Sequence, residues 1–100
     1  MHTKVNDFHT LNELRHFIHK TLCEKENLLV DQFAMTEFQL TRGKKPCGIQ
    51  FSLRGPRNVR LGAIWVADRN LVYLYDARGA RYAKLQLASQ VTLNDDRRAA

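Results

Sequence analysis

The chain reads as a single α+β domain, with one N-terminal helix packed on one face of a four- to five-stranded antiparallel meander. Three observations predict this class. Apolar residues recur every three or four positions in one early segment. From about residue 33 the period drops to two. The alternating segments that follow are joined by links of about five residues or fewer, too short for a parallel crossover.

The helix is announced by its start. Thr10 and Glu13 form a Thr-x-x-Glu pattern, in which each side chain can accept from a backbone N–H that the first helical turn leaves unpaired. Leu11, Leu14, Ile18 and Leu22 then line one face, with Phe17 and Thr21 on its shoulder. The pattern fades over Glu24-Lys25-Glu26-Asn27, where Asn27 suits the left-handed conformation that ends a helix. The predicted helix spans about residues 10 to 26.

Five strands are predicted at about residues 33–41, 47–53, 58–66, 71–76 and 81–87. Asp68-Arg69-Asn70 and Ala77-Arg78-Gly79 each suit a type I turn that closes on a left-handed residue. If Ala67 closes on Leu71 and Asp76 on Ala80, then Trp65 faces Tyr73, Ala63 faces Tyr75 and Tyr73 faces Ala83. The expected core face is Ile49, Phe51, Leu53, Val59, Leu61, Ala63, Trp65, Leu71, Tyr73, Tyr75, Ala83, Leu85 and Leu87. The other face then carries Ile64, Val66, Val72 and Leu74 as a contiguous branched patch, with Tyr82 beside it. That patch is the candidate surface for a homodimer or a protein partner.

A composition of 44% hydrophobic and 26% charged residues excludes a disordered chain. The apolar run Gly62–Ala67 is far below the roughly 20 residues of a membrane-spanning helix. No apolar stretch follows Lys4, so the start does not read as a secretory signal, and a cytoplasmic location is expected. Residues 1–9 are expected to be a flexible N-terminus, 10–88 the domain, and 89–100, with Asn94-Asp95-Asp96-Arg97-Arg98, a flexible tail. Cys23 and Cys47 form no Cys-x-x-Cys pair and read as reduced thiols, although a disulfide between them is open geometrically.

The net charge of +6 is uneven. Residues 42–84 hold ten basic and two acidic side chains, whereas residues 1–41 hold four and six. Loops of a meander alternate between the two ends of the sheet, so Arg54, Arg57, Arg60, Arg78 and Arg81 gather near one end, with Lys84 further along. Arginine forks match phosphate oxygens, which makes these residues the candidate contacts for a nucleic acid or another polyanion. Basic loops also keep small sheets soluble and block edge pairing, and no helix-turn-helix, zinc-finger or RNP-like segment is present.

Catalytic chemistry finds little support. His16, His19 and Cys23 fall in one arc of the helix, away from the expected core stripe, and form a weak candidate metal trio. No oxyanion-type turn or orienting carboxylate accompanies them, Asp68 and Asp76 occupy turn positions, and the five glycines form no phosphate-cradling loop. The expectation is a non-enzymatic binding module without cofactor or small-molecule substrate.

Phe51-Ser52-Leu53-Arg54-Gly55-Pro56, then Leu61-Gly62-Ala63-Ile64-Trp65 and Tyr73-Leu74-Tyr75-Asp76, resemble small bacterial proteins of no assigned activity, over about residues 10 to 88. The resemblance implies the domain span and no reaction. In topology alone, a helix followed by antiparallel strands also resembles cystatin-like and signal-recognition-particle Alu-type folds.

Overall fold

The computed structural model describes residues 8, 10–88 and 91, with Asp31 described by its backbone alone. Helix α1, Leu11–Lys25, starts as its sequence dictates, with the Glu13 N–H donating to Thr10 Oγ1 at 3.1 Å. It ends with Asn27 at φ 57°, the Asn27 N–H on Glu24 O at 3.2 Å and the Leu28 N–H on Cys23 O at 2.8 Å. This double closure satisfies carbonyls that the last turn would otherwise leave unpaired. Leu11, Leu14, Ile18 and Leu22 are buried as expected.

Five strands follow: β1 Met35–Arg42, β2 Lys45–Arg54, β3 Arg60–Val66, β4 Leu71–Tyr75 and β5 Arg81–Gln86. They pair in sequence order, every pair antiparallel. The helix lies over β3, the middle strand. Beneath it, Ile49, Phe51 and Leu53 of β2 meet Trp65, Ala63 and Leu61 of β3, and all six are buried. Each large apolar side chain sealed there contributes roughly 1.5–3 kcal/mol relative to exposure. Gly48 keeps two backbones close: a Cβ there would stand 2.2 Å from Trp65 O.

The register of β4 differs from the expected one. Val66, not Ala67, pairs with Leu71, so the loop has four residues, Ala67–Asn70, with the Asn70 N–H on Ala67 O at 3.2 Å and Asn70 at φ 52°. Trp65 consequently faces Val72 and Ala63 faces Leu74, while Tyr73 faces Ile64 and Tyr75 faces Gly62. Val72 and Leu74 are 0% and 2% exposed. The reason is that Val and Leu bury without stranding a polar atom, whereas two inward tyrosines would each bring a hydroxyl needing a partner.

The second hairpin closes as expected. The Asp76 N–H donates to Ala80 O at 2.9 Å and Gly79 takes φ 83°. A register shift follows between Leu74 and Tyr75, so that Tyr75 pairs with Arg81 and Leu74 with Ala83, leaving Tyr82 as the extra residue of a bulge. The two one-residue shifts cancel. Leu85 and Leu87 keep their expected inward face, and β4 alone is inverted.

Asn70 holds the inverted strand in place. It is 6% exposed, its Oδ1 accepts from Trp65 Nε1 at 3.1 Å, and its carbonyl accepts from the Leu87 N–H at 3.1 Å. Within the segment read as a flexible tail, Val91 is buried in the core, a correction to that reading. Residues 89, 90 and 92–100, and residues 1–7 and 9 of the expected N-terminal segment, lie outside the described residues. Among the described residues, no helix is long and apolar enough to cross a membrane.

Candidate functional site

The sheet face away from α1 is built in cross-strand rows. One row runs Phe38, Gln50, Ile64, Tyr73, Lys84; the next runs Thr36, Ser52, Gly62, Tyr75, Arg81; and beyond it Arg54 stands opposite Arg60. On the other side of the first row lie Leu40, Gly48, Val66, Leu71 and Gln86. The described strand residues of this face thus combine aromatic rings with cations and include no carboxylate.

The cations are held at the surface. Arg54 and Arg60 are exposed and directly paired, an arrangement that repels unless an anion lies between or near them. The Arg81 guanidinium lies 4.7 Å from the Tyr73 ring centroid, a cation–π contact that keeps the charge flat on the sheet. Among the described residues, the arginine with a carboxylate partner is Arg15, which forms a bidentate pair with Glu37 on the opposite side of the sheet.

Two loops complete this end. Between β2 and β3, the Val59 N–H donates to Pro56 O at 3.1 Å while Arg57 and Asn58 take φ 57° and 64°, the geometry of a type I′ turn. Holding a non-glycine residue there costs about 1–2 kcal/mol, and the Arg57 side chain extends into solvent. Between β4 and β5, Asp76 Oδ1 accepts from the Arg78 N–H at 2.9 Å and the Ala80 N–H at 3.0 Å. The bond from Ala80, then that from Arg78 with the nearby positive charges of Lys25 and Arg78, holds the Asp76 carboxyl below its ordinary range. Asp76 thereby locks the turn through two backbone N–H groups.

At the β1 edge of this face a cleft of about 460 Å³ is lined by Ala34, Thr36, Phe38, Ser52, Leu53, Arg54 and Arg60. Phe38 is 60% exposed there.

The sequence-expected residues are distributed unevenly over this geometry. Arg54, Arg57, Arg60, Arg78 and Arg81 do gather at one end, and Lys84 stands opposite Tyr73. Of the expected interface patch, Ile64 and Val66 stand on the open face, but Val72 and Leu74 are core. Tyr82 is carried by its bulge to the helix side, where the Lys25 ammonium lies 4.5 Å from its ring centroid. Burial, then the charges of Asp76 and Glu26, pushes the Tyr82 hydroxyl up, and that hydroxyl has no hydrogen-bond partner among the described residues.

The weak candidate metal trio, His16, His19 and Cys23, is dispersed. Cys23 is fully buried in the core, a correction to its placement away from it, and burial, then Glu24, pushes its thiol up. His19 Nε2 meets Phe33 O at 2.7 Å, and His16 is exposed. Among the described residues, no group of three or more His, Cys, Asp and Glu side chains is placed to hold a metal ion. Cys23 and Cys47 are both free.

Sequence reasoning missed Phe38, Tyr73 and Tyr75 as open-face residues. Phe38 shares its parity with Thr36 and Leu40, and pairing β1 with β2 through the polar Gln50 and Ser52 would have brought it out. Compared with known proteins, the chain matches no family model, no curated protein and no solved structure.

Proposed function

We propose that this chain is a nucleic-acid-binding module, without a reaction of its own, that engages a phosphate backbone through the arginine end of its open sheet face. The observation that carries this reading is the exposed Arg54–Arg60 pair, with Arg81 on the neighbouring row and Arg57 and Arg78 in the adjoining turns. A phosphate chain brings regularly spaced anions to such a cluster and relieves its internal repulsion. Aromatic rings set among the cations add flat surfaces suited to bases. A cytoplasmic location, where nucleic acid is abundant and thiols stay reduced, suits two free cysteines.

The competing reading is self-association or a protein partner through Ile64, Val66, Val72, Leu74 and Tyr82. Two of those five side chains stand on the open face, Val72 and Leu74 being core and Tyr82 lying on the helix side.

Fluorescence anisotropy of labelled mixed-sequence RNA and DNA, at low and near-physiological salt, tests the reading, with light scattering for mass. Binding that weakens steeply with salt is expected. Replacing Arg54 and Arg60 together by Ala should lower the salt slope by about 0.7 for each single-strand phosphate that is no longer neutralised. Unchanged affinity and slope would remove this end of the sheet from the mechanism. No binding at either salt, with a dimeric mass, would support the sheet face as a protein interface instead.

A further inference from the structure

We infer that the cleft between Phe38 and the Arg54–Arg60 pair is a subsite for one unpaired nucleotide, with the base on the Phe38 ring and its phosphate on the two guanidinium groups. This rests on the nucleic-acid reading above and adds the class of strand: single, not duplex.

Three observations converge. Phe38 is 60% exposed on a regular strand, on a face whose other large apolar side chains are at least half covered. A ring this exposed leaves an open flat face on which a base can stack. The cleft beside it has about 460 Å³, within the range of small-ligand sites, with the small residues Ala34, Thr36 and Ser52 in its lining. Arg54 and Arg60 close its far side as directly opposed like charges without a carboxylate among the described residues. Ring, small lining residues and paired cations thus correspond to base, sugar and phosphate.

The geometry also selects against a duplex. Paired bases are stacked edge-out, and neither face of a base in a continuous helix is available to an aromatic ring on a protein surface. An unstacked base in a single strand offers both faces, and stacking on an aromatic tolerates any sequence. Tyr73 and Tyr75, on neighbouring rows, offer further surface to the following nucleotides, although Arg81 already covers the Tyr73 ring.

The test compares two labelled chains of equal length at one moderate salt, a twelve-residue oligouridylate and its abasic counterpart, against wild-type protein, Phe38→Ala and Phe38→Trp. Wild type should bind the oligouridylate about tenfold more tightly than the abasic chain. Phe38→Ala should lose most of that preference, keeping only what the tyrosine rows supply, and Phe38→Trp should restore it. Because Phe38 is exposed, both variants should melt within a few degrees of wild type, which circular dichroism checks. If wild type binds both chains equally, or if Phe38→Ala keeps the preference, the subsite is wrong while the phosphate-binding reading stands. If wild type binds neither chain, both are wrong.

Discussion

The two faces of one sheet use the same strands for opposite ends. Toward α1, β2 and β3 present Phe51, Leu53, Leu61 and Trp65, none more than 3% exposed. Away from it, the residues between them are Ser52, Arg54, Arg60, Gly62 and Ile64, which leave polar and charged groups in water. The inner face is held by apolar area, which ionic screening does not weaken. Among the described strand residues, the outer face carries cations without a carboxylate, so its energy depends on what solution supplies. Stability therefore resides on one side and the recognition proposed above on the other, and substitutions should separate them.

The largest separation is between two phenylalanines on adjacent strands. Phe51→Ala, inside, should cost about 3–5 kcal/mol in denaturant unfolding, and Phe38→Ala, outside, less than about 0.5 kcal/mol. Comparable losses from both would break the division of labour.

A middle-sized effect should come from Arg57, which has left-handed backbone geometry in its exposed turn. Arg57→Gly should raise stability by about 0.5–1 kcal/mol, because glycine takes positive φ without steric conflict, less its greater freedom when unfolded. The same change should weaken salt-dependent RNA binding. Opposite signs in the melt and in the binding curve would mark a residue kept for recognition; a loss in both would make it structural.

The smallest effect is electrostatic and acid-specific. The folded Asp76 carboxyl lies below its unfolded value of about 3.9, so the turn is stabilised above that pH and loses this support as pH falls through the lowered folded value. Asp76→Asn should flatten the decline of stability below about pH 4 by lowering the neutral plateau toward the acid level, since the neutral amide lacks the charge that supports the turn. An unaltered acid limb would assign that decline to other carboxylates.

Much of this division is legible in the sequence. Capping at Thr10 and the stripe from Leu11 to Leu22 place the helix, and alternation in β2 and β3 assigns both of their faces correctly because polar and apolar residues there differ sharply. β4 is the exception for a physical reason. Leu71-Val72-Tyr73-Leu74-Tyr75 is apolar at every position, so alternation carries no information, and the face turns on whether the turn has three residues or four. The preference for burying Val and Leu over Tyr was available and outranks turn statistics here. Arginine clustering followed from meander topology alone. The Phe38 cleft did not, because it depends on how an edge strand registers with β2.

A strand that is oily on both sides invites mispairing, and Asn70 gives the hairpin a way to reject it. In the correct frame its amide receives the Trp65 indole and its carbonyl receives the Leu87 N–H, tying three strands to one residue. Slide β4 by one position and the indole is sealed away with its proton unanswered, a penalty of about 1–3 kcal/mol falling on the wrong frame alone. A single loop asparagine thereby acts as a proofreader of the fold, and it decides which tyrosines the protein shows to the outside.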